Sequence, residues 1–149
     1  MSGGRSRALI VLGAVLVLLV VGAWAAASLL APKDRYEVRV SDGTRVLASY
    51  TVGELQSLGA VKIVALGKTE QGPSLIRVLE DAGVNDFSRV VIRGAGVRDA
   101  GSIVLTRDQV DGDVIFDIAN RGTVKIVSPE MAWDERVRDV TEIIVEGAE

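Results

Sequence analysis

Apolar residues divide this chain into two unequal parts. From Ala8 to Ala31 no charge interrupts the run ALIVLGAVLVLLVVGAWAAASLLA. Its 24 residues span about 36 Å as an α-helix, against about 30 Å of bilayer hydrocarbon. A helix apolar on every face has no side to turn towards water, so the pattern predicts a transmembrane helix over 8–31. The boundaries that follow are a short basic segment 1–7, the span, a linker 32–35, a domain 36–146 and a tail 147–149 expected to fray.

Beyond the span, short apolar runs alternate with turn residues. Val38 to Val40 and Arg45 to Tyr50 flank Asp42-Gly43 and read as a hairpin. Thr51 with Glu54 three residues on is a capping box, which predicts a short helix over 52–58 ended by Gly59. Val61 to Leu66 alternates as a strand, and Gly67 to Pro73 is polar throughout and reads as a loop. Pro73 or Ser74 then starts the clearest helix, with Leu75, Ile76, Val78, Leu79 and Ala82 on its apolar side and Gly83 as terminator. Strands are expected at 89–93 and 102–105 around a glycine-rich loop, Gly94 to Gly101, and one helical turn at 106–110. A second hairpin over 114–119 and 123–127 and a last strand over 140–146 complete the series. Strands outnumber helices and only one helix could serve as a full crossover, so the fold class is α+β with a mixed, strand-rich sheet.

Arg5 and Arg7 precede the span and Lys33, Arg35 and Arg39 follow it, so basic residues alone do not set its orientation. The small residues around Ala25 would suit signal cleavage, but the apolar run continues through Leu29 and Leu30. A signal-anchor at the cell membrane with the domain outside the cytoplasm is the expectation, and a secreted domain if the segment is cleaved. The chain has no cysteine and no histidine. That removes thiolate ligands, imidazole bases and the Ser-His-Asp triad. A net charge of −3 with interspersed signs and few aromatics gives nucleic acid no footprint.

Taken in order, Tyr50-Thr51-Val52-Gly53-Glu54-Leu55 and then Gly72-Pro73-Ser74-Leu75-Ile76-Arg77-Val78-Leu79-Glu80-Asp81-Ala82-Gly83-Val84 resemble successive segments of the oxidoreductase molybdopterin-binding domain, the fold of the sulfite oxidase family. Val90 to Ile92, Ser102 to Val110, Val124 to Pro129, Trp133 and Val137 to Val145 resemble that family's later strands in the same order. The resemblance implies the family's fold in an exported setting and, were the family's chemistry retained, a molybdopterin cofactor. The family holds its metal through a cysteine after the strand that is Val61 to Leu66 here, and this chain has Leu66-Gly67-Lys68 at that point. No other side chain of this set replaces a soft thiolate. No cofactor is therefore expected. The leading expectation is a non-catalytic ligand- or partner-binding module, the alternative a molybdopterin-dependent redox subunit without thiolate ligation. A β-grasp-like ligand-binding domain also fits the order of hairpin, helix and strands.

Candidate binding residues are few. In the resembled family the 67–73 loop approaches the cofactor, and Lys68 and Thr69 would offer a charge and a hydroxyl to a small anionic ligand or protein partner. Arg98, beside Gly94-Ala95-Gly96, adds a third candidate for an anion, although no helix opens from these glycines. Asp108, Asp111, Asp113 and Asp117 lack the order of a calcium loop and read as turn formers. Glu70, Asp99 and Glu130 are the carboxylates from which a hydrolytic pair would have to be drawn. Trp133, next to Met131 and Ala132, reads as a core anchor for the last strand.

Overall fold

Asp42 shapes the first turn, accepting hydrogen bonds from the backbone N–H groups of Thr44 (3.0 Å) and Arg45 (2.8 Å), while Gly43 takes φ +87°. The turn folds β1 (Glu37–Ser41) against β2 (Val46–Thr51) in the computed structural model, which describes residues 35–95 and 101–148. The expected transmembrane helix over 8–31 and Arg98 lie outside the described residues. Among the described residues no helix is long and apolar enough to cross a membrane. Residues 36–149 form a compact unit of their own.

The capping box forms as expected: Thr51 Oγ1 accepts from Glu54 N, and the Glu54 carboxylate accepts from Thr51 N, starting α1 (Val52–Ser57). Then come β3 (Val61–Ala65), β4 (Lys68–Gly72), α2 (Leu75–Asp81), β5 (Arg89–Gly94), β6 (Ser102–Thr106), a 3₁₀ turn (Arg107–Gln109), β7 (Ile115–Ile118), β8 (Val124–Val127) and β9 (Val140–Glu146). Five strands form one sheet in the order β2-β1-β9-β5-β6, with β1 and β9 parallel and the other pairs antiparallel. The α+β, mixed-sheet reading holds. β3–β4 and β7–β8 are separate two-stranded hairpins.

One correction concerns residues 67–73. They are not a loop: Leu66 (φ +52°) and Gly67 (φ +75°) make a tight turn, and Lys68–Gly72 runs back along β3 as β4. Positive φ at both central residues suits the twist of a two-residue hairpin. The strand carries no apolar alternation because its inward-turning positions are Lys68, Glu70, which pairs with Lys125 and the buried Arg136, and Gly72, which meets backbone.

Alternation places Val38, Val40, Val90, Ile92, Ile143 and Val145 on one buried face of the large sheet, in one core with Leu55 of α1 and Leu75, Val78 and Leu79 of α2. Each such side chain contributes about 2 kcal/mol by leaving water. Phe116, Val124 and Ile126 turn one face of the β7–β8 hairpin into this core. Its other face, Ile115 and Val127, joins Ile63 and Ala65 of the β3–β4 hairpin in a second, smaller core. The two hairpins thus stack outward from the main core, joined where Phe116 N donates to Pro73 O (2.9 Å) and Leu75 N to Val114 O (2.7 Å). At the C-terminal end a Cβ at Gly147 would lie 2.3 Å from Ser88 Oγ.

Candidate functional site

The layer between the two hairpins is only partly apolar. In register with Ile115 and Val127, the next inward pair is Asp117 and Lys125. Lys125 Nζ lies 3.1 Å from Asp117 Oδ2 and 3.2 Å from Glu70 Oε1 on β4. The same Glu70 oxygen accepts from Arg136 Nη1 at 3.4 Å. The Arg136 side chain is 1% exposed, and its Nε and Nη2 have no hydrogen-bond partner among the described residues. Two carboxylates and two cations therefore balance inside this layer, with guanidinium donors to spare.

Trp133 lies beside this network, and here the structure corrects the sequence reading. It is not a core anchor but 44% exposed, whereas Met131, two residues earlier, is buried. Three cations converge on its ring: the guanidinium carbons of Arg136 and Arg138 lie 5.2 Å from the ring centroid, and Lys68 Nζ lies 5.9 Å away. All fall within the range at which an indole face attracts a cation. Unlike Lys125 and Arg136, Lys68 and Arg138 form no salt bridge among the described residues. The exposed indole is thus bordered by two cations outside any salt bridge among the described residues, with the exposed carboxylates of Asp134 and Glu135 next in the chain.

Arg138 and Lys125 also line an open cleft of about 330 Å³ with Arg121, Asn120, Thr123, Asp117 and Asp139. Asp139 is itself engaged: a hydrogen bond from Thr123, then the Arg121 guanidinium, hold its carboxyl below the usual carboxylate range. At the same end of the domain, Tyr36 donates its hydroxyl hydrogen to Val140 O and accepts from Val124 N (3.1 Å). Burial lifts the Tyr36 phenol above its ordinary value, opposed by the hydrogen bond from Val124. A larger groove of about 660 Å³, lined by Gln56, Gln71, Asn120 and Pro73 among others, carries no charged side chain.

Lys68 and Thr69 are neighbours on β4, so the pleat sends them to opposite faces. Lys68 sits on the inward-turning side with Ala65 as partner and reaches Trp133, whereas exposed Thr69 pairs with Val64 on the outer side. The two do not meet in one site. Arg136 and Arg138 were not singled out from the sequence, although Trp133-Asp134-Glu135-Arg136-Val137-Arg138 displays the aromatic and both arginines together. Asp111 accepts from Asp113 N (2.9 Å), a turn within the chain, and among the described residues no three carboxylates gather as a metal site. The position after β3, where the resemblance would put a metal-binding cysteine, is the turn Leu66-Gly67 with Leu66 54% exposed. An aliphatic side chain and a glycine supply no soft ligand, so these residues do not fit a thiolate-held metal. Compared with family models and with curated proteins, the chain matches none.

Proposed function

We propose that the chain is a membrane-anchored, extracytoplasmic binding module that takes an anionic partner at Trp133 and turns over no substrate there. One observation carries this reading: an exposed indole to which Lys68, Arg136 and Arg138 all point, two of them without a salt bridge among the described residues. Such a surface attracts anionic groups through charge-assisted hydrogen bonds and offers a flat apolar face beside them. Glu70 and Asp117, the carboxylates of the adjoining buried network, are each held by cations and are poorly placed to act as general bases.

The order of motifs supports a relation to the molybdopterin-binding domain, of which this chain would be a member lacking the metal-holding thiolate. The central parallel pair β1 and β9, flanked by antiparallel strands, equally supports a grasp-like sheet. Both readings leave the Trp133 cluster as the place where a ligand would be met.

The test uses Trp24→Phe in the full chain, which leaves Trp133 as its one tryptophan. Titration with hexaglutamate in neutral detergent at low salt is expected to shift Trp133 emission saturably, with the shift lost on Lys68→Ala plus Arg138→Ala. An unchanged spectrum, or the same shift in the double variant, would overturn the reading.

A further inference from the structure

We propose that the Trp133 cluster docks the domain on the anionic surface of the bilayer that anchors it. The inference rests on the anion-binding reading above and on the span over 8–31, and it names lipid headgroups as the partner. Its geometric basis is where the chain enters the domain. Tyr36, the first residue of the compact unit, is fastened to Val140 O and Val124 N. Those contacts lie two residues from Arg138 and next to Lys125 in sequence.

The tether is short. Only residues 32–35 separate the apolar run from Tyr36, and fully extended they reach about 14 Å. The headgroup region itself occupies several ångströms of that distance. A tether of this length limits how far Tyr36 can stand from the headgroups, which raises their effective concentration for the domain.

The chemistry matches that neighbour. Tryptophan is the side chain enriched at membrane interfaces, where its ring lies at headgroup depth. Trp133 is 44% exposed, and Leu66, on the hairpin turn two residues before Lys68, is 54% exposed. Each basic residue held at an anionic surface raises partitioning roughly fivefold. Lys68 and Arg138 supply two such residues. A soluble oxyanion drawn into the adjacent cleft would instead meet the carboxylates of Asp117 and Asp139. With a net charge of −3 over the chain, and with Asp134 and Glu135 exposed just after Trp133, the attraction has to come from Lys68 and Arg138 at short range, which screening beyond about 8 Å permits.

The experiment reconstitutes the full Trp24→Phe chain into vesicles of phosphatidylcholine, with or without one third phosphatidylglycerol, including lipids brominated near the headgroup. Docking predicts a blue-shifted Trp133 emission and bromine quenching in the anionic vesicles. Both should fall severalfold in phosphatidylcholine alone, in molar salt, and in the Lys68→Glu plus Arg138→Glu variant. Trp133 left water-exposed and unquenched in anionic vesicles would overturn docking. If hexaglutamate or inorganic phosphate still shifted its emission, the anion-binding reading would survive that failure, and silence towards every probe would end both. Extraction of the chain by alkaline carbonate would remove the anchor and docking with it.

Discussion

Glu70 of β4 meets Arg136 of the segment between β8 and β9, Glu70 Oε1 accepting from Arg136 Nη1 at 3.4 Å while the same oxygen receives Lys125 Nζ at 3.2 Å. Glu70 thus contacts both cations. Lys125 also has Asp117 (3.1 Å), but Arg136, whose side chain is 1% exposed, has Glu70 as its one paired carboxylate among the described residues. Glu70→Gln leaves a buried guanidinium without its counter-charge and is expected to cost about 3 kcal/mol. Arg77→Ala, which breaks an ion pair whose side chains are 59% and 47% exposed, should cost under about 0.5 kcal/mol. Urea unfolding of both variants checks the contrast. Equal losses would show that the buried network does not support the layer.

Packing of the hairpins makes a second prediction at Gly72. A Cβ there would lie 1.8 Å from the carbonyl oxygen of Phe116, which is backbone and cannot rotate away. Gly72→Ala should therefore separate β4 from β7 and lose about 3 kcal/mol. Gly53, in the first turn of α1, has nothing within 4 Å of its would-be Cβ, so Gly53→Ala should stabilise by about 0.5 kcal/mol. Thermal unfolding distinguishes the two signs.

Stability should also fall at both ends of the pH range. The Tyr50 phenol, which donates to Asp81 Oδ2 at 2.8 Å, is raised from 10.0 by burial and then by that carboxylate. A raised pKa means that the unfolded chain loses this proton first, so its contribution is intact below about pH 10 and declines above it. Asp42 is shifted the other way, lowered from 3.8 by the hydrogen bond from the Thr44 hydroxyl and then by the Arg45 and Thr44 N–H groups. Its contribution to the β1–β2 turn is present above about pH 4 and lost as pH falls through the folded value. Tyr50→Phe should flatten the alkaline limb alone and Asp42→Asn the acid limb alone, as read by unfolding midpoints across pH.

Trp133 separates binding from folding. Because the ring is 44% exposed, Trp133→Ala should change the unfolding free energy by less than about 1 kcal/mol, the scale of exposed cation–π contacts. The same change should abolish the response to hexaglutamate, measured by calorimetry since the fluorophore is gone. A large loss of stability would return Trp133 to the role of core anchor.

The elements that announce themselves in the sequence are those whose signals are local. Ser74 caps α2 by accepting from Arg77 N and Gly83 follows it with φ +82°, and both are readable from residue type alone. β9 has the expected boundaries because it is a run rich in β-branched residues, with Ile143 and Val145 on the buried face. β4 was hidden because Lys-Thr-Glu-Gln-Gly shows no apolar alternation: its inward side is filled by an ion pair and by another strand's carbonyl. The site was half hidden for a related reason. Lys68 has the character of an anion contact by itself, but Arg136 becomes a buried guanidinium through Glu70, 66 residues away. The apolar character of Trp133 likewise gives no sign that Met131, two residues earlier, is the one buried.

The most direct measurement follows the indole N–H resonance of Trp133 in ¹⁵N-labelled Trp24→Phe chain as hexaglutamate is added at low salt. The account predicts a saturable shift of that resonance with parallel shifts at the Lys68 and Arg138 amides, all reversed by salt. A stationary indole resonance, or shifts confined to other parts of the domain, would contradict it.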